Sequence, residues 1–327
     1  METPVRAALA LGSGGARGYA HIGAIEVLEE RGIEIVAVAG SSMGALVGGL
    51  FAAGKLDPYT EWVRGLSQFD VLRLLDLSLT SPGMIRAEKI FARMRELLDG
   101  ALIEELAVPF TAVATDLLAR KAVWFQRGPV EAAVRASIAM PGVFTPVVLN
   151  GRVLVDGGMM DPVPLAPTAS ARADVTIAID LGGERGGLAE GAPVRESAEE
   201  RPVEEWGERF RRGASHLLDR DVVRSLLNRF GGAPKGADAG TDADDTLDDL
   251  PPGLGRFDVM NQSLEAMQSV LTRYRLAGDP PDVLVTIPKD ACRTLDFHRA
   301  TEMIALGREL TEAAMDSADL AGRPSDE

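Results

Sequence analysis

The chain has 327 residues and sets 34 Lys and Arg against 49 Asp and Glu, a formal net charge of −15. That balance leaves no broad basic face for nucleic-acid phosphates and disfavours passive attraction to an anionic bilayer. A hydrophobic share of 46%, no apolar run long enough to span a bilayer and one cysteine, Cys292, point to a globular cytoplasmic protein without an intrachain disulfide.

An apolar stretch over 7–11 reads as the first strand and is too short for a secretory leader. It runs directly into Gly12-Ser13-Gly14-Gly15-Ala16-Arg17-Gly18, followed by a helix carrying Ala20, Ile22, Ala24, Ile25 and Leu28. Glycines after a strand free backbone N–H groups to face an anion, and in acyl transfer such a loop forms an oxyanion hole. A dinucleotide fingerprint fails by count, since its third glycine would fall on Arg17. A phosphate loop over 49–55 fails because Leu56 stands where Ser or Thr is needed and no strand precedes it.

The second strand, over 33–38, leads into Gly40-Ser41-Ser42-Met43-Gly44 and then a helix of small residues over 45–53. Strand, G-x-S-x-G and helix is the setting of a nucleophile elbow. There Gly40 and Gly44 let strand and helix approach closely, and Ser42 sits exposed at a helix N-terminus. The ordinary alternative is a chance match in a chain with 35 glycines.

Residues 57–105 are helical and leucine-rich; Trp62, Phe69, Leu72, Leu74 and Leu75 either line an acyl pocket or cap it, or form plain helix core. Further strands are expected over 110–114, 122–125 and 175–181, giving a mostly parallel sheet covered on both faces. A short strand over 153–155 ends at Asp156-Gly157-Gly158, which is a simple turn or, with Ser42, a carboxylate general base at a strand end. Residues 182–255 form an acidic, partly mobile insertion. Near 206–230 it carries an amphipathic helix in which Arg209, Arg212, Arg220 and Arg224 interleave with Phe210, Leu217 and Leu227. Such a helix docks on a membrane or packs against protein. Helices over 259–276 and 294–314 flank a last strand over 283–287, so 256–315 completes the domain begun by 1–181, and 316–327 is a polar tail.

These blocks together resemble the patatin-like phospholipase family in its bacterial single-domain form. The resemblance rests on Gly14-Gly15-Ala16-Arg17-Gly18, on Gly40 to Gly44 and on Asp156-Gly157-Gly158, in that order and spacing. Two connecting stretches, Ala114-Thr115-Asp116-Leu117 and the block from Ala136 to Pro146, are also similar. One departure is Asp161, where the family pattern leads us to expect Asn. The resemblance implies an α/β protein with a three-layer α/β/α patatin-like fold and an elbow after the second strand. It also implies a Ser42–Asp156 dyad acting through an acyl-enzyme, with backbone N–H groups of Gly14, Gly15, Ala16 and Arg17 at the oxyanion. The Arg17 side chain either orients that loop through an ion pair or meets a phosphate headgroup.

A Ser42, Asp156, His298 triad has the chain order of an α/β-hydrolase. Against it, the elbow follows only the second strand and His298 reads as the opening turn of a helix. His21 is expected to pack, and His216 lies in the insertion. No Cys/His cluster has zinc spacing, so no metal or cofactor is expected. The function expected is lipid acyl hydrolysis of a phospholipase A or lysophospholipase kind. The alternatives are a thioesterase or small-ester carboxylesterase with the same dyad, and a regulatory protein on the same fold.

Overall fold

The computed structural model describes residues 4–74, 88–184 and 256–318. Among them, β1 (Arg6–Leu11), β2 (Glu34–Ser41), β3 (Phe110–Asp116), β4 (Lys121–Phe125), β5 (Val147–Leu149), β6 (Arg152–Asp156), β7 (Val175–Gly183) and β8 (Val283–Pro288) form one sheet. Its order is β5-β6-β3-β2-β1-β7-β8, with β4 added on β3. The pairs β3–β2, β2–β1, β1–β7 and β7–β8 are parallel. β1, flanked by strands on both edges, is a near-continuous buried apolar run, as a central parallel strand must be.

The sheet turns antiparallel at one side, where β4 and β6 both pair with β3 and β5 pairs with β6. Only four residues join β3 to β4 and two join β5 to β6. Both links are too short for a parallel crossover, which needs a dozen residues or more. β5 is too short to be expected from the sequence, since three residues carry no readable alternation. One edge of β3 is shared: β2 pairs with Phe110 to Val113 and β6 with Ala114 to Asp116.

The helices are α1 (Ala20–Glu30), α2 (Met43–Ala52), α3 (Leu56–Arg64), α4 (Gln68–Leu74), α5 (Glu88–Leu98), α6 (Val130–Ser137), α7 (Arg256–Gly278) and α8 (Ala300–Ser317). Side-chain alternation along β1 separates the two faces. Leu9 and Leu11 join the main core with α1, α2 and α8, whereas Ala10 faces a smaller cluster of Val163, Leu165 and Ala178 with Leu276 of α7. α1 and α8 also pack at close range, since a Cβ on Gly307 would lie 2.7 Å from the Ala20 carbonyl carbon. α8 runs to Ser317, beyond the expected boundary at 315. The expected helix over 206–230, His216 and Leu75 lie outside the described residues.

Candidate active site

β2 ends at Ser41 and α2 begins at Met43, so Ser42 alone makes the turn, with φ 55° and ψ −121°. A non-glycine residue in that region costs roughly 1–3 kcal/mol and persists only where its surroundings enforce it. Three features do so. Ser42 N–H donates to Ser137 Oγ at 2.8 Å, and that hydroxyl donates to Val113 O at 2.5 Å, tying the elbow to α6 and β3. A Cβ on Gly40 would lie 2.5 Å from Ala45 N, and one on Gly44 would lie 2.5 Å from the Leu11 carbonyl carbon. Glycine at both places is therefore a packing requirement. Ser42 is buried, with the positive end of α2 directly beneath it.

Asp156 reaches Ser42 through the shared edge of β3. β2 arrives along that edge and stops with Ser41 opposite Val113, while β6 arrives from the other direction and stops with Asp156 opposite Ala114. The two strand ends meet head to head. Ser42 Oγ donates to Asp156 Oδ2 at 2.5 Å, and Gly158 N–H donates to Oδ1 at 2.8 Å. Thr115 Oγ1 donates to the Asp156 carbonyl at 2.9 Å, and Asp156 N–H donates to Ala139 O at 3.0 Å. Burial pushes the carboxyl up from 3.8 to about 6, partly offset by the hydrogen bonds from Ser42 and Gly158. A carboxylate in that range accepts protons near neutral pH, as a general base must.

The glycine block opens as a 3₁₀ turn, Gly15–Tyr19, before α1 starts. Gly15 has φ +57°, and a Cβ there would collide with Thr294. Ala16 N–H is committed to Thr294 O at 2.9 Å, which removes it from the expected oxyanion donors. Gly14 and Gly15 N–H have no backbone acceptor among the described residues. Arg17 is buried, donating to Lys289 O at 3.0 Å and Cys292 O at 3.2 Å, and pairing with Glu265 at 3.2 Å. Its side chain fastens the turn to α7 and to the loop after β8, so the loop-orienting alternative describes it. His21 is fully buried and burial lowers it to about 4, so the ring is neutral and Nε2–H donates to Gly12 O at 2.8 Å.

Beside Ser42 lies an almost wholly apolar cavity. Trp62 and Leu74 line it together with Leu46, Val71, Phe91 and Phe144. Tyr19 and Tyr59 are also in its wall. Phe69, by contrast, is 72% exposed and is not part of the wall.

Residues 9–169 match the family described as patatin-like phospholipase. An uncharacterized NTE family protein of Mycobacterium tuberculosis is 48% identical over 339 aligned positions, covering 96% of this chain and 92% of that one. The chain belongs to the patatin-like phospholipase family. It is by that membership a carboxylic-ester hydrolase. A patatin-like phospholipase domain-containing protein of Caenorhabditis elegans is 28% identical over 91% of this chain and 20% of its own length. Lysophospholipase nte1 of Emericella nidulans is 32% identical over 53% of this chain and 12% of its own.

In this patatin-like protein neither described histidine hydrogen-bonds Ser42 or Asp156. His21 is spent on the glycine turn, and His298 lies in a separate 3₁₀ turn, Phe297–Arg299. The supporting residues Ser137 and Thr115 had no role in the sequence reading, although both sit in the two connecting family blocks. Nothing in their spacing announces that they bond to the ends of β2 and β6. Among the described residues no group of His, Cys, Asp and Glu could hold a metal ion. No described helix is long and apolar enough to cross a membrane.

Proposed function

We propose that the chain hydrolyses long-chain acyl esters of lipids through a Ser42–Asp156 dyad. The observation that carries this is the Ser42 Oγ–Asp156 Oδ2 hydrogen bond of 2.5 Å at the mouth of an apolar cavity. Ser42 Oγ attacks the ester carbonyl carbon while its proton passes to Asp156. The tetrahedral oxyanion is held by the N–H groups of Gly14 and Gly15, which have no competing backbone acceptor among the described residues. Collapse breaks the bond to the alcohol, which leaves with the proton from Asp156. Water then attacks the acyl-enzyme, gives a proton to Asp156, and Ser42 recovers its own as the fatty acid departs.

The almost wholly apolar wall favours a long acyl chain over a small ester. The name lysophospholipase carried by one relative supports a lipid substrate. Covalent labelling by a long-chain fluorophosphonate tests the dyad directly. Wild type and His298→Ala should label, whereas Ser42→Ala and Asp156→Asn should not. Loss of labelling in His298→Ala with a normal Asp156→Asn would overturn the dyad in favour of a histidine base.

A further inference from the structure

A second recess meets the apolar cavity at Ser42 and differs from it in chemistry. Ser13, Asp156, Asn261, Glu265 and Gln268 contribute to its wall, three of them from one face of α7 at helical spacing. Gln268 lies against the turn after Asp156, since a Cβ on Gly158 would stand 2.9 Å from its Nε2. The side chains of Ser13, Asn261 and Gln268 form no hydrogen bond with described residues. Three half-buried groups, each able to donate and accept, therefore face the reacting bond unspent.

Among the described residues this recess carries more negative than positive charge. Its one cation among the described residues, Arg17, spends its Nη donors on Lys289 O, Cys292 O and Glu265. Glu265 also accepts from Thr294 Oγ1 at 3.1 Å. The remaining charged group is Asp156. A phosphate entering here finds two carboxylates and, among the described residues, only a guanidinium already paired with Glu265, whose one unpartnered donor, Nε, is buried, whereas a hydroxylated neutral group finds matching amides and a hydroxyl.

We propose that this recess binds the alcohol leaving group and selects an uncharged polyol, of the glycerol type, over a phosphate-bearing one. This rests on the hydrolase reading above and names the headgroup side of its substrate. The acyl chain occupies the apolar cavity, the ester spans Ser42, and the free hydroxyls of the alcohol take the bonds of Ser13, Asn261 and Gln268.

The test uses the full chain with monooleoylglycerol and oleoyl lysophosphatidic acid at equal mole fraction in neutral detergent micelles. Fluorophosphonate labelling serves as an independent report on the nucleophile. The expected kcat/KM favours monooleoylglycerol by about tenfold or more, the scale of one unsatisfied charged contact. Placing a cation in the wall by Gln268→Arg or Asn261→Arg should move that ratio about tenfold toward lysophosphatidic acid. Labelled wild type that cleaves lysophosphatidic acid as fast or faster, or that cleaves neither ester, overturns the headgroup assignment alone. So does an unchanged ratio in an arginine variant that still takes the label. Wild type that neither labels nor cleaves overturns the hydrolase reading itself.

Discussion

Asp156, the base of the proposed dyad, sits in a place that resists its charge. Burial holds its carboxyl at about 6 in the folded chain against 3.8 for the ordinary group. As a base it works only when ionised, so kcat/KM should fall as pH drops through about 6, higher than an exposed aspartate would give. The effect on stability has the opposite sense. The folded state holds this proton more tightly than the unfolded one, so stability declines as pH rises from 3.8 to 6 and stays lower above. Asp156→Asn should therefore abolish turnover and raise unfolding stability at pH 8 by on the order of 3 kcal/mol. Urea denaturation of the two proteins at pH 8 checks it; a destabilised Asn variant would mean the carboxylate is better solvated than its burial implies.

α7 is the element that closes the site, and two ion pairs hold it. Arg17 reaches it at Glu265, and Arg275 reaches back at 3.4 Å to Asp161, where the family pattern suggested Asn. Arg275 also donates to Met160 O at 2.9 Å, bonding the loop that follows Asp156. Burial raises Asp161 to about 6, while Arg275 pulls in the other direction. The charged side chain at 161 is thus matched by a cation on a helix far along the chain. In Arg275→Met the carboxylate loses that cation and its pKa rises further. The loss of stability should be large at pH 8, where Asp161 must stay ionised, and smaller at pH 5, where it takes a proton. Thermal unfolding at the two pH values measures this difference; an equal loss at both would show that the helix contact matters and the charge does not.

Across the whole molecule, buried neutral groups and a large surface charge act together. His21, lowered to about 4 from 6.5, opposes folding as pH falls through that interval, because the unfolded chain binds the proton and the folded one does not. Asp156 and Asp161 shift stability the other way over an overlapping range. The net charge of −15 adds self-repulsion that salt screens. Raising KCl from low to physiological ionic strength at pH 8 should therefore raise Tm, and the gain should shrink near the pI of about 4.8. A Tm independent of salt at pH 8 would show that the acidic groups are already locally paired.

Much of the site was legible because its parts are backbone devices. Glycine at 40, 44 and 15 is demanded by close approach or positive φ, and those constraints leave a mark at fixed spacing around Ser42. The central parallel strands were legible for a similar reason, since burial on both edges and faces writes a continuous apolar run. What the sequence by itself determined, then, is the family fold and the sharp turn at Ser42 between β2 and α2. What only the tertiary structure decided is how distant segments share space. The antiparallel return of β6 along the edge of β3 brings Asp156 to Ser42, Ser137 supports the elbow from 95 residues away, and Arg17 is spent on α7 and the loop after β8. Spacing along a chain encodes local geometry, whereas a hydrogen bond across the sheet depends on register and crossing, which are settled only when the whole core packs.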